Sequence, residues 1–182
     1  MINYKSNIFI GAALIIFAAV LKAVTFPASF NPIIAISLFS GVVISDKKLA
    51  FLMPLLAMFV SDIILEVFNI APGFYGMGQI GNYISLMLVT VLGFGIKKVN
   101  AVNVVGFSLA SSLFFFLLSN TNVFFFDTIA YEKSISGYMT CLAAGIPFIK
   151  NGLITDLFFS AVLFGSYQLL YKGQSKEIIS AS

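Results

Sequence analysis

Two carboxylates in this 182-residue chain occupy stretches where carboxylates are seldom found. Asp62 lies beside Ser61 and one helical turn before Glu66, within the apolar run from Leu49 to Phe68, and Asp156 lies within a second run from Gly152 to Tyr171. Spacing of i, i+4 puts Asp62 and Glu66 on one helix face. An ionised side chain near a bilayer centre costs about 2.5–3.5 kcal/mol even on the lenient insertion scale, so such groups turn toward the bundle interior and carry a function. The plainer alternative is structural: each acid pairs with Lys22 or Lys150 and locks a helix end.

Other polar groups sit at comparable positions. Asn31 precedes the second apolar run, Asn82 opens the fourth, Asn120 and Asn122 close the fifth, and Lys150 and Asn151 precede the sixth. Asp62 lies about 9 Å from the end of its run and Asp156 about 6 Å from the start of its own, at 1.5 Å per residue. These positions predict a polar cavity open at one end of the bundle. Asn31, Asp62, Tyr75, Asn82, Asn120, Lys150, Asn151 and Asp156 are the candidate substrate-binding residues. Tyr75 belongs to the loop NIAPGFYGMGQIGNY (Asn69–Tyr83), whose glycines and tyrosines suit a lid over a ligand, or else mark the interface belt.

The chemistry available is narrow. The chain has no His and one cysteine, which excludes imidazole catalysis, histidine metal sites and internal disulfides. It lacks GxxxxGK[ST] and any nucleophile–base spacing, so it is read as neither an ATPase nor another enzyme, and neither a cofactor nor a metal is expected. Cys141 reads as a small packing residue. Ser108, Ser111, Ser112 and Ser119, the pair Gly106 and Ala110, and the pair Ser37 and Gly41 read as close helix-packing positions.

The elements that must hold these residues follow from composition. Hydrophobic residues make up 60% of the chain and charged residues 9%, against about 25% charged in a soluble domain. The expectation is an all-α polytopic integral membrane protein, one domain with six transmembrane helices near 8–24, 32–44, 49–68, 80–96, 102–120 and 152–171. The stretch Thr121–Asn151 lies between the last two, broken by Pro147 and open to more than one path. Ten lysines against seven acids are a topology signal and not a nucleic-acid footprint. With six spans and both termini cytoplasmic, seven lysines lie inside and three outside; a seventh span would lower that bias.

Several stretches in order resemble the S components of energy-coupling factor vitamin transporters, and especially their solitary cobalamin-transporting members. They are SFNPIIAISLFSG (Ser29–Gly41), KKLAFLMPLLAMFVSDIIL (Lys47–Leu65), SSLFFFLLSN (Ser111–Asn120) and GYMTCLAAGIPFIKNGLITDLFFSAVLFG (Gly137–Gly165). The family's NFxP motif maps to Phe30, Asn31 and Pro32, with Asn and Pro adjacent here. Its Ser-Asp pair maps to Ser61 and Asp62, and its Pro-Phe-x-x-Asn to Pro147, Phe148 and Asn151. Of the AxxxA docking signature only Ala19 and Ala23 fit, near the far end of the first span. The resemblance implies capture and uptake of a vitamin, with cobalamin first among the substrates, across the bacterial cytoplasmic membrane. The partners it implies are the vitamin, the lipid bilayer, and a shared membrane subunit with two ATPases. The contrasting expectation is a non-transporting membrane scaffold, such as a cell-shape morphogenesis subunit.

Overall fold

The computed structural model describes residues 13, 16–18, 20–22, 24, 31–126 and 131–180, with side chains described through residue 169. Ser29, Phe30, Ala19 and Ala23 lie outside the described residues, as does much of the first expected span. The described residues from 13 to 24 are helical. Beyond them come α1 (Ile33–Val43), α2 (Lys47–Val67), α3 (Met77–Phe94), α4 (Ala101–Phe126) and α5 (Ile135–Ser180), and every described element is a helix. Four stretches are long and apolar enough to cross a membrane: Lys47–Val67, Met77–Phe94, Ala101–Phe126 and Ile135–Leu169.

The outside of the bundle is apolar. Along α4, Val102, Val105, Leu109, Leu113 and Leu117 are all exposed at helical spacing, while Val104, Ser108, Ser111 and Ser112 are buried. A helix that shows leucine and valine outward and hides serine inward is solvated by lipid, and the chain is a membrane-embedded protein.

α1 is the central post. At 11 residues it spans about 16 Å, roughly half a hydrocarbon core. Nine of its residues are buried, and it packs on α2, α3, α4 and α5, which is why its sequence is apolar all round. Its closest approach is to α3: a Cβ on Gly41 would lie 2.3 Å from the Thr90 carbonyl, and one on Gly93 would lie 2.5 Å from the Leu38 carbonyl. Gly41 thus serves the packing role its spacing suggests. Gly106 does not, because a Cβ there meets nothing and both Gly106 and Ala110 are exposed.

α2 begins at Asp46, whose carboxylate accepts from the backbone N–H of Lys48 (2.8 Å) and Leu49 (3.2 Å). Pro54 lies inside this helix and has no N–H for the Ala50 carbonyl. Ser40 of α1 takes over, its one hydroxyl proton shared between the Ala50 carbonyl at 2.9 Å and its own helix's Ser37 carbonyl at 3.0 Å. The C-terminus closes as a Schellman turn, with Ile70 N–H on the Leu65 carbonyl (2.9 Å) and Asn69 N–H on Glu66 (3.1 Å). Asn69 fills the left-handed position at φ 52°.

The stretch Thr121–Asn151 is resolved in an unexpected way. α4 continues through Phe126, so Asn120 is a mid-helix residue, and α5 starts at Ile135 and runs through Pro147 without a break. Asp156 is therefore not near a helix start: it stands 21 residues after Ile135, in mid-helix. The leading half of α5 packs on the end of α4. Tyr138 stacks edge-on against Phe124 at 5.2 Å and shares a 3.0 Å hydroxyl contact with Thr121. Cys141, buried, meets the Asn120 carbonyl at 3.4 Å. These contacts hold a helix where proline and a polar Lys150–Asn151 pair suggested an interruption.

Candidate substrate cavity

A cavity of about 510 Å³ lies among the helices, walled by α1, α2, α4 and α5, Lys22, the loop before α3 and the start of α3. Its lining is mostly apolar, with Ile33, Met58, Phe115, Phe116 and Leu153 among the contributors. Asn31, Asp62, Tyr75, Asn82, Asn120 and Asp156 all line it. Lys150 and Asn151 do not: both are exposed, on the outward side of the same turns of α5 from which Ile149 and Gly152 face the cavity. Their expectation depended on a helix beginning at Gly152, and the continuous α5 points them elsewhere.

Asp62, 1% exposed, is fully engaged. Lys22 Nζ stands 2.5 Å from Oδ1, and Gln79 Nε2 (2.8 Å) and the Tyr83 hydroxyl (2.9 Å) donate to Oδ2. The structural alternative for this residue is thus realised, since a buried carboxylate with an ammonium and two neutral donors is a lock between segments. Gln79 also donates to the Gly73 carbonyl (3.0 Å), and Gly73 N–H donates to Glu66 (2.7 Å). The loop from Phe68 to Gly76 is thereby folded back over the end of α2. Gly73 is required there, because its Cβ would fall 2.0 Å from the Asp62 carbonyl.

Sequence reasoning missed Gln79 and Tyr83 as ligands of Asp62. The signal was present as helical spacing: Gln79, Asn82 and Tyr83 stand at i, i+3 and i+4, but only a helix starting at Met77 turns that into a shared face. Gly76, at φ 76°, makes the turn that allows this start.

At the loop side of the cavity, Asn82 Nδ2 donates to the Tyr75 hydroxyl at 2.9 Å, and Asn122 reaches Asn82 at 3.5 Å. Burial raises the Tyr75 phenol above its ordinary range, the Asn82 hydrogen bond opposes this, and the negative charge of Asp62 adds to the rise. Tyr75 keeps its proton and can donate it to a ligand. Asn31, just before α1, accepts from Ile33 N–H at 3.2 Å, and Asn120 donates to the Phe116 carbonyl at 2.8 Å. Gly145 makes room for that amide, since a Cβ there would meet Asn120 Oδ1 at 2.5 Å.

Asp156 is held differently. It is 2% exposed, and Ser112 of α4 donates to its Oδ2 at 2.6 Å. Ser112 also meets the Ser108 carbonyl, and Ser160 donates to the Ser108 hydroxyl at 3.1 Å, so a seam of serines joins α4 to α5 below the cavity. Ser108, Ser111 and Ser112, expected to act in packing, are buried and Ser112 also orients the acid, whereas Ser119, expected to pack as well, lines the cavity. Lys150 does not pair with Asp156; Lys22–Asp62 is the ion pair found among the described residues. Nor do the described residues contain a group of acids and cysteine arranged to hold a metal.

The arrangement can enclose a compact, largely apolar molecule and orient it by a few polar groups at two ends. No curated protein and no solved structure matches the chain. A family of unknown function (DUF6580) matches residues 2–178, nearly the whole sequence that builds this bundle, and the chain belongs to that family.

Proposed function

We propose that the protein binds a vitamin or related micronutrient in this cavity and carries it across the bacterial cytoplasmic membrane, as an S component does. The observation that carries the reading is the cavity itself: about 510 Å³ among membrane helices, apolar in most of its wall and polar at two ends. That volume falls within the ~300–1,000 Å³ of pockets that bury drug-sized ligands. It favours a compact vitamin over cobalamin, whose corrin ring and nucleotide tail need more space. In this reading the chain has six spans with both termini cytoplasmic, and the loop bearing Tyr75 faces outward. The energy comes from a separate membrane subunit with two ATPases, because the sequence has no phosphate-binding loop.

A thermal-shift screen of the purified protein tests this against cobalamin, biotin, thiamine, riboflavin, folate and pantothenate. A ligand at 100 times its Kd stabilises the native state by about 2.7 kcal/mol. Gly152 supplies the control: it lines the cavity, and a Cβ there meets nothing within 4 Å, so Gly152→Leu fills the space without a backbone clash. One compound should shift the wild type and leave Gly152→Leu unmoved. If every compound leaves the folded wild type unmoved, the reading falls and a non-transporting scaffold takes its place.

A further inference from the structure

Resting on that reading of the cavity, we infer that its ligand is an organic cation, a protonated amine or a charged heteroaromatic ring, held by Asp156 as counter-ion. Among the described residues, the charged side chains lining the cavity are Lys22, Asp62 and Asp156. Lys22 and Asp62 pair across 2.5 Å, which leaves Asp156 as the acid of the described cavity wall with no charged partner.

The two acids differ in the donors that surround them. Asp62 receives three, one of them an ammonium. Asp156 receives the Ser112 hydroxyl at one oxygen, and no described residue donates to the other. Among the described residues no basic side chain pairs with it: α1, α3 and α4 contain no charged residue, Lys22 is engaged by Asp62, and Lys150 is exposed. A carboxylate 2% exposed, in an apolar wall and beside open space, is the arrangement a cation completes.

The same comparison disfavours an anion. An anionic ligand would have to displace Asp62 from Lys22 and leave Gln79 and Tyr83 facing a disrupted carboxylate, whereas a cation at Asp156 displaces nothing. Phe115, Phe116 and Phe148 line the cavity and offer aromatic surface to a cationic ring. Tyr75, Asn82 and Asn120 provide hydrogen bonds for an uncharged polar group on the same ligand. A metal ion is the wrong cation, because one carboxylate and a hydroxyl are too few oxygen ligands.

The test measures binding to the full-length protein in detergent by calorimetry, with three classes of probe. Thiamine and 1-methylnicotinamide are cations, nicotinamide and riboflavin are neutral, and biotin and pantothenate are anions. The expected result is binding by a cation, weakened about 10- to 100-fold in Asp156→Asn, which keeps the shape and loses the charge. Asp156→Glu, which restores the charge, should recover part of that loss, and it keeps the test open should Asp156→Asn fold poorly. A neutral or anionic probe that binds wild type and Asp156→Asn alike, and is blocked by Gly152→Leu, overturns the cation while the cavity reading stands. A cation that binds Asp156→Asn as tightly as wild type overturns it too, reducing Asp156 to a neutral hydrogen-bond partner. Absence of binding by all six probes overturns the inference, and with no shift in the wider vitamin panel the uptake reading falls as well.

Discussion

Lys22 and Asp62, forty positions apart in the chain, form a 2.5 Å ion pair that ties the N-terminal helical segment to α2 at the wall of the cavity. Both groups are largely removed from solvent, at 15% and 1% exposure, so neither is indifferent to losing the other. Removing one partner of a buried pair leaves an uncompensated charge, at a cost of about 3–5 kcal/mol. Asp62→Leu should therefore lower the unfolding midpoint strongly, and adding Lys22→Met to it should restore most of the loss. A double-mutant cycle by thermal unfolding in detergent measures this. Additive losses would show that the pair is not coupled.

The serine that serves a proline makes a second coupled pair. Ser40 donates to the Ala50 carbonyl because Pro54 cannot. Ser40→Ala should destabilise by about 1–3 kcal/mol, the penalty of a buried acceptor left without a donor. In the background of Pro54→Ala, where the helix supplies its own N–H, the same substitution should do much less. Equal losses in both backgrounds would remove the compensation.

Backbone contact between α1 and α3 sets a steric limit. Gly93→Leu pushes a side chain into the Leu38 carbonyl, 2.5 Å from where its Cβ would stand. The helices must separate, and a loss of at least about 1–3 kcal/mol is expected, seen as a lower melting point. Gly106→Leu, in open space facing outward, should change the melting point little.

The loop over Asp62 gives a local prediction. Gly73→Ala places a methyl 2.0 Å from the Asp62 carbonyl and must lift the loop that Glu66 and Gln79 hold down. Hydrogen exchange at residues 70–79 should quicken, with α4 and α5 unchanged. Unchanged exchange in the loop would show that it yields without detaching.

Much of this was written in the sequence. Apolar runs with few charges dictate helices in lipid, because a backbone without water must bond to itself. Acids deep inside such runs face inward, and that rule placed Asp62 and Asp156 at one cavity along with Asn31, Tyr75, Asn82 and Asn120, whereas Glu66, one turn from the end of α2, is exposed and holds the loop instead. Tertiary structure alone decided what each acid does. Asp62 and Asp156 have the same side chain and similar burial, yet Lys22, Gln79 and Tyr83 reach one and only Ser112 reaches the other. Local sequence could not show this, because the donors come from segments 17 to 44 positions away. It could not show the continuity of α5 either: Pro147 weakens the helix locally, and contacts of Tyr138, Cys141 and Gly145 with α4 hold it in place. An acid's depth within an apolar run announces its burial, whereas the partner that makes burial tolerable is supplied by the fold.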